Sequence, residues 1–375
     1  MLRQACAAVA VAGMVCGASG AEWFLHNRKV IHPSGVYPSV RGGSVVFTVG
    51  IGGALWRFDG TESAWVYGSA GACHEPENPG SERAAWRNLQ GARNDIYLWD
   101  GETARNLSDS PAADTSLSSG SNGDLIWSHS HTWLMYYDAS EDAVIPLGVK
   151  GDYPSLYVGE DGVTTYAYQD PETREVRYFD GSETHVLGDG AATGAFPSVW
   201  NGAVAWLADR TGGMFKTGEV FYWKNGETVR VTNDDAVDGI ADEGAVLWRD
   251  IIIWTRSPNG PLQPRLYLWA GGEIVEVSST GGRVPSFESG RASWVDSDGL
   301  NVASVHLRGD LNCDNIVDYG DIDAFVAALN GEVPYETAHP GCTRINADCN
   351  CDGVVNYADI DPFVQLLSTG HSQCP

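Results

Sequence analysis

The chain has 375 residues, of which 49 are acidic and 23 basic, for a formal charge of −26. A chain this acidic offers no basic face, which argues against nucleic acid and anionic membrane as partners. At 43% hydrophobic and 19% charged it is too apolar for general disorder. Its 45 glycines and 14 tryptophans suggest many short strands and tight turns, and its length suggests several domains or one large repeat fold with an added module.

Residues 1–21 read as a secretory signal peptide. Met1-Leu2-Arg3-Gln4 supplies a short positive start. Ala5 to Gly17 is an apolar run too short to span a bilayer, and Ser19-Gly20-Ala21 places small residues where signal peptidase cuts. Val15 before Cys16 argues against a lipoprotein. No later stretch is long and apolar enough for a span, so the mature chain is expected to be secreted, to the medium or the cell surface. Export makes disulfides expected among Cys73, Cys313, Cys342, Cys349, Cys351 and Cys374. Five of these crowd the tail. That odd number leaves either one thiol unpaired or Cys73 paired across domains, and the spacing does not choose the pairing.

Composition divides the chain near residue 308. All 14 tryptophans lie between Trp23 and Trp294, whereas the segment from Gly309 onward holds eleven Asp or Glu against one Arg. Within 22–308 one pattern recurs: a β-prone run, an aromatic, a turn pair and a second β-prone run. It reads Trp56-Arg57-Phe58-Asp59-Gly60, Tyr97-Leu98-Trp99-Asp100-Gly101, Tyr136-Tyr137-Asp138, Tyr178-Phe179-Asp180-Gly181, Tyr222-Trp223-Lys224-Asn225-Gly226 and Tyr267-Leu268-Trp269-Ala270-Gly271. The marker aromatics are spaced 41, 38, 42, 44 and 46 residues apart. Asp-Gly and Asn-Gly between such runs signal tight hairpins with positive φ.

A second pattern interleaves with the first: Pro38-Ser39-Val40, Pro154-Ser155-Leu156, Pro197-Ser198-Val199 and Pro285-Ser286-Phe287, with weaker copies at Thr115-Ser116-Leu117 and Ile240-Ala241-Asp242. The serine-equivalent positions 39, 116, 155, 198, 241 and 286 leave one double gap, which places a degenerate copy near Cys73 to Arg83. About four strands in roughly 40 residues is a propeller blade. The last copy, Val284 to Leu307, lacks an outer hairpin strand, and the run Trp23 to Ile31 has that pattern alone. Joining them closes the ring without an exposed edge. The fold expected is mainly β: a β-propeller of seven blades, with six as the alternative if the weak second copy is no blade. In sequence style the repeats resemble TolB-type, WD40-like propellers, a resemblance that implies a binding scaffold more often than an enzyme.

The tail carries the sharpest motif. Asp310, Asn312, Asp314, Asp318 and Asp321 fall at positions 1, 3, 5, 9 and 12 of a loop, with the backbone carbonyl of Ile316 at position 7. The loop repeats as Asp348, Asn350, Asp352, Asn356 and Asp359, with the carbonyl of Val354 at position 7. A hard cation with six to eight oxygen ligands needs this alternation, so each loop is expected to bind one Ca²⁺, two ions in all. Gly353 takes the sharp bend at position 6, and Asn315 is the substitute in the first loop. Both loops end in Asp where an EF-hand has Glu. Each runs into an amphipathic helix, Ile322 to Leu329 and Ile360 to Leu367, with Pro362 in a first turn.

A duplicated calcium loop with one following helix, C-terminal in an exported protein, resembles a dockerin, here a cysteine-containing module of Planctomycete type covering 309–375. The resemblance implies a small all-α, EF-hand-like module, calcium-dependent folding and docking to a cohesin-like domain. It also implies, by association only, a part in polysaccharide catabolism. Loop positions 10 and 11 hold Tyr319-Gly320 and Tyr357-Ala358 instead of the Ser-Thr common in cellulosomal dockerins, which leaves the partner open.

No catalytic residues are readable in the propeller. His129-Ser130-His131 sets two imidazoles on one face of a strand without a third ligand. Cys73-His74-Glu75-Pro76-Glu77 is expected in a Pro/Gly-rich loop, where Glu75 and Glu77 would have to stand about 5 to 9 Å apart across a substrate to act as a glycosidase pair. Trp56, Trp99, Trp223 and Trp269 are expected to pack between blades. Trp65, Trp86, Trp133, Trp200 and Trp254 are freer to stack on a sugar ring. Three functions remain open: a secreted calcium-binding protein whose propeller binds a glycan or protein and whose tail tethers it to a cohesin-like partner; a glycoside hydrolase or polysaccharide lyase with its site at the propeller mouth; or a structural cell-surface protein.

Overall fold

A computed structural model describes residues 23–369, except 51–52, 69–72, 81, 91–92, 188–192, 210–217, 234–236, 239–243, 258–263, 271, 279–280, 315 and 340–341. The expected signal peptide, Ala241, Asn315 and Cys374 lie outside the described residues. The chain forms two compact units. One spans 29–302; the other runs from Ala303 onward and includes the N-terminal residues through Arg28.

Seven blades follow one another, at residues 35–67, 73–106, 114–150, 152–186, 193–230, 246–278 and 283–307. The seventh sheet is completed by Trp23–His32, which lies beside Gly299–Leu307. The short strand Val237–Asp238 bridges the fifth and sixth blades by pairing with Gly218 on one side and with Arg256 and Ser257 on the other. The innermost strands are Gly35–Arg41, Cys73–Glu77, Asp114–Ser119, Asp152–Val158, Thr193–Trp200, Val246–Trp248 and Arg283–Glu288. Each touches the next, and the last returns to the first. The propeller is therefore seven-bladed. The weak second copy forms a full blade, and Cys73–Glu77 is its innermost strand, where a loop was expected.

One device fastens neighbouring blades. In six innermost strands a residue adopts left-handed φ: Tyr37, Glu75, Ser116, Tyr153, Phe196 and Val284, between 45° and 57°. The register slips by a bulge at each of these places. In five of them the next residue is proline (38, 76, 154, 197 and 285). A skipped ladder position demands no N–H, so proline is accepted there.

Two residues beyond the left-handed one, a serine oxygen accepts a backbone N–H of the following blade. Ser39 accepts from Asn78 (3.0 Å), Ser118 from Leu156 (3.1 Å), Ser155 from Val199 (3.1 Å), Ser198 from Leu247 (3.0 Å) and Ser286 from Val40 (2.9 Å). Ser118, not Ser116, is the third blade's equivalent, because Ser116 is itself the bulge residue. The second blade has Glu77 at this position and the sixth has Val246.

The outer hairpins close in two ways. Asn225-Gly226 is a two-residue turn with both φ positive, 52° and 86°. The Asp-Gly turns are longer than the tight type expected. Asp59, Asp100 and Asp180 each accept the N–H groups two and three residues on, at 2.8 to 3.0 Å. Between blades lie apolar layers such as Val45, Phe47, Phe58 and Leu300. Trp86 and Trp254 are fully buried in two such layers, against the expectation that they stand free.

In the second unit, α1 (Ile322–Leu329) and α3 (Ile360–Thr369) follow the two loops. Their Phe325 and Phe363 rings stack at 4.0 Å between centroids. A third helix, α2 (Glu332–Ala338), joins them with little apolar period to announce it. Its Tyr335 is buried and donates to the Leu311 carbonyl at 2.6 Å. Arg344 donates to the carbonyls of Ala328 and Val355, tying the two halves together. Cys313 is bonded to Cys342, and Cys351 is also in a disulfide. The Cys73 thiol is free and buried within its own unit. Among the described residues no helix is long and apolar enough to cross a membrane.

Replacing Ser155 with Ala should leave the buried Val199 N–H without its acceptor and lower stability by about 1–3 kcal/mol, read from the urea midpoint. An unchanged midpoint would deny the serine its fastening role.

His306 faces Phe24 and His26 at 5.8 and 6.0 Å, and an Arg308 guanidinium lies over Phe24. Burial, with His26 adding to it, pushes the His306 pKa down from 6.5 to about 4. The unfolded chain therefore takes up this proton first as pH falls. The contribution is intact above pH 6.5 and lost progressively toward pH 4, up to about 3 kcal/mol. Melting curves of His306→Phe and the unsubstituted protein should converge above pH 7 and separate below 6, in favour of the variant, if the phenylalanine packs alike.

Candidate functional sites

The two acidic loops are built alike, atom by atom. In the first, Asp310 and Asn312 accept the Asp314 N–H at 3.2 and 2.9 Å, and Asp314 accepts the Ile316 N–H at 2.9 Å. The two oxygens of Asp321 accept from Asn312 (3.0 Å) and Asp318 (2.9 Å). In the second, Asp348 and Asn350 accept the Asp352 N–H at 3.1 and 3.0 Å, and Asp352 accepts from Val354 at 2.8 Å. Asp359 accepts from Asn350 (3.2 Å) and Asn356 (2.8 Å). Asp318 and Asn356 each cap the short 3₁₀ turn that leads into the helix.

Left-handed φ falls at Gly353 (82°), as expected, and also at Cys313 (61°) and Cys351 (62°), at loop position 4. No sequence rule flagged those cysteines, since cysteine is not a usual left-handed residue.

Asp310, Asp321, Asp348 and Asp359 are buried. Burial raises the proton affinity of Asp321 and Asp348, and in Asp348 the Arg308 guanidinium, 3.7 Å away, works against it. A carboxylate oxygen has two lone pairs. Each loop spends one set on the backbone, which orients the side chains and leaves the other set for a ligand. Donor types, order and turn all fit a hard, oxygen-seeking cation such as Ca²⁺. The loop carboxylates are not drawn together tightly. Among the described residues the one set of three acidic or imidazole groups within 4.8 Å of one another is Asp180, Glu183 and His185, on an outer hairpin. There Asp180 closes the turn and holds His185 at 2.8 Å, which accounts for the grouping.

The propeller axis holds a second site, a cavity of about 690 Å³ lined by all seven innermost strands. Alternate residues of each strand face the axis, so residues stack in tiers. The tier two residues past the serine position has Arg41, Tyr157, Trp200, Trp248 and Glu288 from blades one, four, five, six and seven. Tyr157 meets Trp200 at 5.7 Å and Trp200 meets Trp248 at 6.4 Å, both edge to face at 61°. Opposite this arc, Arg41 is pinned by the Asn78 carbonyl (2.6 Å), the Ser119 carbonyl (3.0 Å) and Glu288 (3.3 Å). Glu77 accepts from Ser119 (2.9 Å) and Ser39 (3.2 Å). Burial outweighs those bonds and the Arg41 charge, so its pKa rises from 4.5 to about 7. Burial also raises that of Glu288, against Arg41.

Of the candidate site residues singled out in the sequence, Glu75, Glu77, His131 and Trp200 reach this cavity. Glu75 is held by Arg87 (2.7 Å) and the Ser116 N–H (3.2 Å). His129 and His131 do not share a strand face. The strand ends at His129, and Ser130 and His131 form a turn with φ of 56° and 51°. Each imidazole has its own acid, Asp114 at 2.8 Å and Asp152 at 3.0 Å. Trp65 and Trp133 are exposed on outer strands, far from the axis in sequence order within their blades. Arg41, Trp248 and Glu288 were not anticipated. Their signal was positional, two residues after each repeat serine or, for Trp248, after the valine that takes its place.

No family model matches the chain, and no curated protein does. Among solved structures it is similar to the β-propeller domain of the Trilobed protease from Pyrococcus furiosus, at TM-score 0.54 and 11% identity over 75% of this chain and 93% of that one. It is also similar to a puromycin-hydrolyzing peptidase of Mycobacterium tuberculosis (TM-score 0.50, 11% identity, 70% and 48%) and to an acylaminoacyl peptidase of Pyrococcus horikoshii (0.49, 13%, 70% and 48%). The chain spans less than half of those two peptidases. At such identities the likeness is one of propeller fold alone.

If Glu77 keeps its proton to near neutrality, a carboxyl carbon resonance in ¹³C-glutamate-labelled protein should titrate near pH 7 and vanish in Glu77→Gln. Titration of every glutamate below pH 5.5 would contradict this.

Proposed function

We propose that this is an exported, two-part binding protein. A calcium-loaded, dockerin-like module docks to a cohesin-like partner, and a seven-bladed propeller holds a glycan or protein ligand. The observation that carries the reading is the duplication in the tail: two loops with the same oxygen donors in the same order and the same backbone bonds, each leading into a helix. With no matching family model, the dockerin assignment rests on these loops. Calcium would be held by Asp310, Asn312, Asp314, Asp318 and Asp321 with the Ile316 carbonyl, and by Asp348, Asn350, Asp352, Asn356 and Asp359 with the Val354 carbonyl. The ion would offset the mutual repulsion of carboxylates gathered in one turn, so binding would supply folding free energy to a small core.

A docking surface is supported by an exposed apolar set that repeats with the loops. Ile316, Tyr319, Ile322 and Val326 in the first half match Val354, Tyr357, Ile360 and Val364 in the second, and the two tyrosines are 77% and 76% exposed. Soluble chains seldom leave such a repeated set uncovered without a partner.

A hydrolase or lyase is the second reading. Glu77 and Glu288, both with raised proton affinity in one cavity, are the observation that favours it. Glu288 is ion-paired with Arg41 and Glu77 accepts two hydroxyl bonds, which suits a fixed binding site at least as well.

Calorimetric titration of the full chain should show two calcium ions bound, with one site lost in each of Asp310→Ala and Asp348→Ala. At a calcium concentration 100-fold above Kd each bound ion should stabilise the tail by about 2.7 kcal/mol. Equal helix content and melting in calcium and in EDTA would remove the calcium module from the proposal.

A further inference from the structure

The cavity tier formed by Tyr157, Trp200, Trp248, Arg41 and Glu288 divides into unlike halves. Blades four to six contribute an arc of half-buried aromatic rings. Blades seven and one contribute a fixed ion pair. We propose that this end of the channel binds one neutral pyranose unit of a glycan, its C–H face on the aromatic arc and its hydroxyls on Arg41 and Glu288. The assignment rests on the reading of the propeller as a binding scaffold and gives that scaffold a site.

Three observations choose this ligand. First, a sugar ring has an apolar face and a polar edge, and the tier offers a wall for each. Second, the ion pair keeps bonding capacity in reserve. Arg41 uses Nε and Nη2 on the protein, and Glu288 uses Oε2. Among the described residues Nη1 of Arg41 and Oε1 of Glu288 have no protein partner, although both residues line the cavity. One donor and one acceptor held by the same pair suit a vicinal diol.

Third, the charges of the lining balance. Among the residues that line the cavity Arg41 is matched by Glu288 and Arg87 by Glu75, so the lining holds no surplus positive charge for a uronate, sulfate or phosphate. The nearby Glu77, with its proton affinity raised by burial, adds little negative charge below pH 7. A cationic guest is disfavoured because the Arg249 guanidinium already lies 4.8 Å over the Trp248 ring. The volume of about 690 Å³ falls within the ~300–1,000 Å³ of small-molecule pockets.

The test uses the full chain in calcium, titrated with cellohexaose, xylohexaose, mannohexaose and galactohexaose. Tetragalacturonate is the acidic probe and tetramethylammonium the cationic one. Saturable binding of at least one neutral sugar, with a change in tryptophan fluorescence, is expected. Trp200→Ala should weaken it at least about tenfold, and so should the isosteric Glu288→Gln, which spares the packing if Trp200→Ala fails to fold. Trp65→Ala, on an exposed outer strand, should bind as the unsubstituted chain does.

Three results would overturn the site. They are no binding of any neutral sugar, binding of only the acidic or cationic probe, and sugar binding that survives both cavity substitutions. The last would place the glycan elsewhere and leave the scaffold reading standing. No binding of glycan or protein ligands by the unsubstituted propeller would remove both. Reducing ends released in the same tubes would retain the site and replace the non-catalytic reading with the hydrolase one.

Discussion

A propeller blade cannot stand alone. Both faces of its sheet are apolar, and each face is covered only by the next blade, so the ring is stable when it is closed and complete. Here closure reaches the backbone itself. Five serines accept an N–H from the neighbouring blade, at positions where a bulge has turned the innermost strand. A buried N–H must find an acceptor, and these donors lie on innermost strands or, for Asn78, directly after one, where the axis-facing edge has no strand beside it. The serine of the preceding blade supplies that acceptor, two residues past the bulge that turns its own strand. The Pro-Ser pair in the sequence is the visible trace of that coupling.

The same geometry decides what the axis can hold. With the innermost strands fixed in register, residues two apart point into one channel, and seven strands deliver up to seven side chains to each tier. A symmetric frame favours like residues at like positions. The tier past the serines breaks that symmetry, with aromatics in three successive blades and an arginine–glutamate pair in the two that follow. The serine tier breaks it in the second blade, where Glu77 accepts two hydroxyl bonds in place of a backbone N–H. The repeat frame does not need these departures, which is why the proposed site is placed on them.

The sequence reading captured what is local and periodic. Blade count, ring closure by the N-terminal strand and both helix-leading loops follow from spacing, turn residues and oxygen order. It failed where a single copy drifted. Cys73–Glu77 looks like a loop because Pro76 stands between two glutamates, Glu75 and Glu77, with no β-branched residue beside it. In the fold Pro76 sits at the bulge, where four other repeats also place proline. Ser116 was chosen over Ser118 because no local signal marks which of two nearby serines turns left-handed. Trp86 and Trp254 were read as free because burial between blades has no period of its own. Arg41, Trp248 and Glu288 escaped notice because their meeting is set by the ring and not by the chain.

The two units solve the problem of excess acid in different ways. In the propeller, carboxylates are spread among turns and pairs. Asp59, Asp100 and Asp180 lie at hairpin tips, where backbone N–H groups, and for Asp180 first of all the His185 imidazole, hold their pKa values down, and Glu288 has Arg41. In the tail, acids are concentrated and buried with a single arginine near one of them, Arg308 beside Asp348. Buried carboxylates held in order by backbone bonds, with so little protein charge to match them, are costly unless a cation is shared among them. The repulsion that the propeller disperses is in the tail arranged in two equal nests. That arrangement makes physical sense when the missing charge is supplied from solution, and this is the physical ground for the calcium proposal.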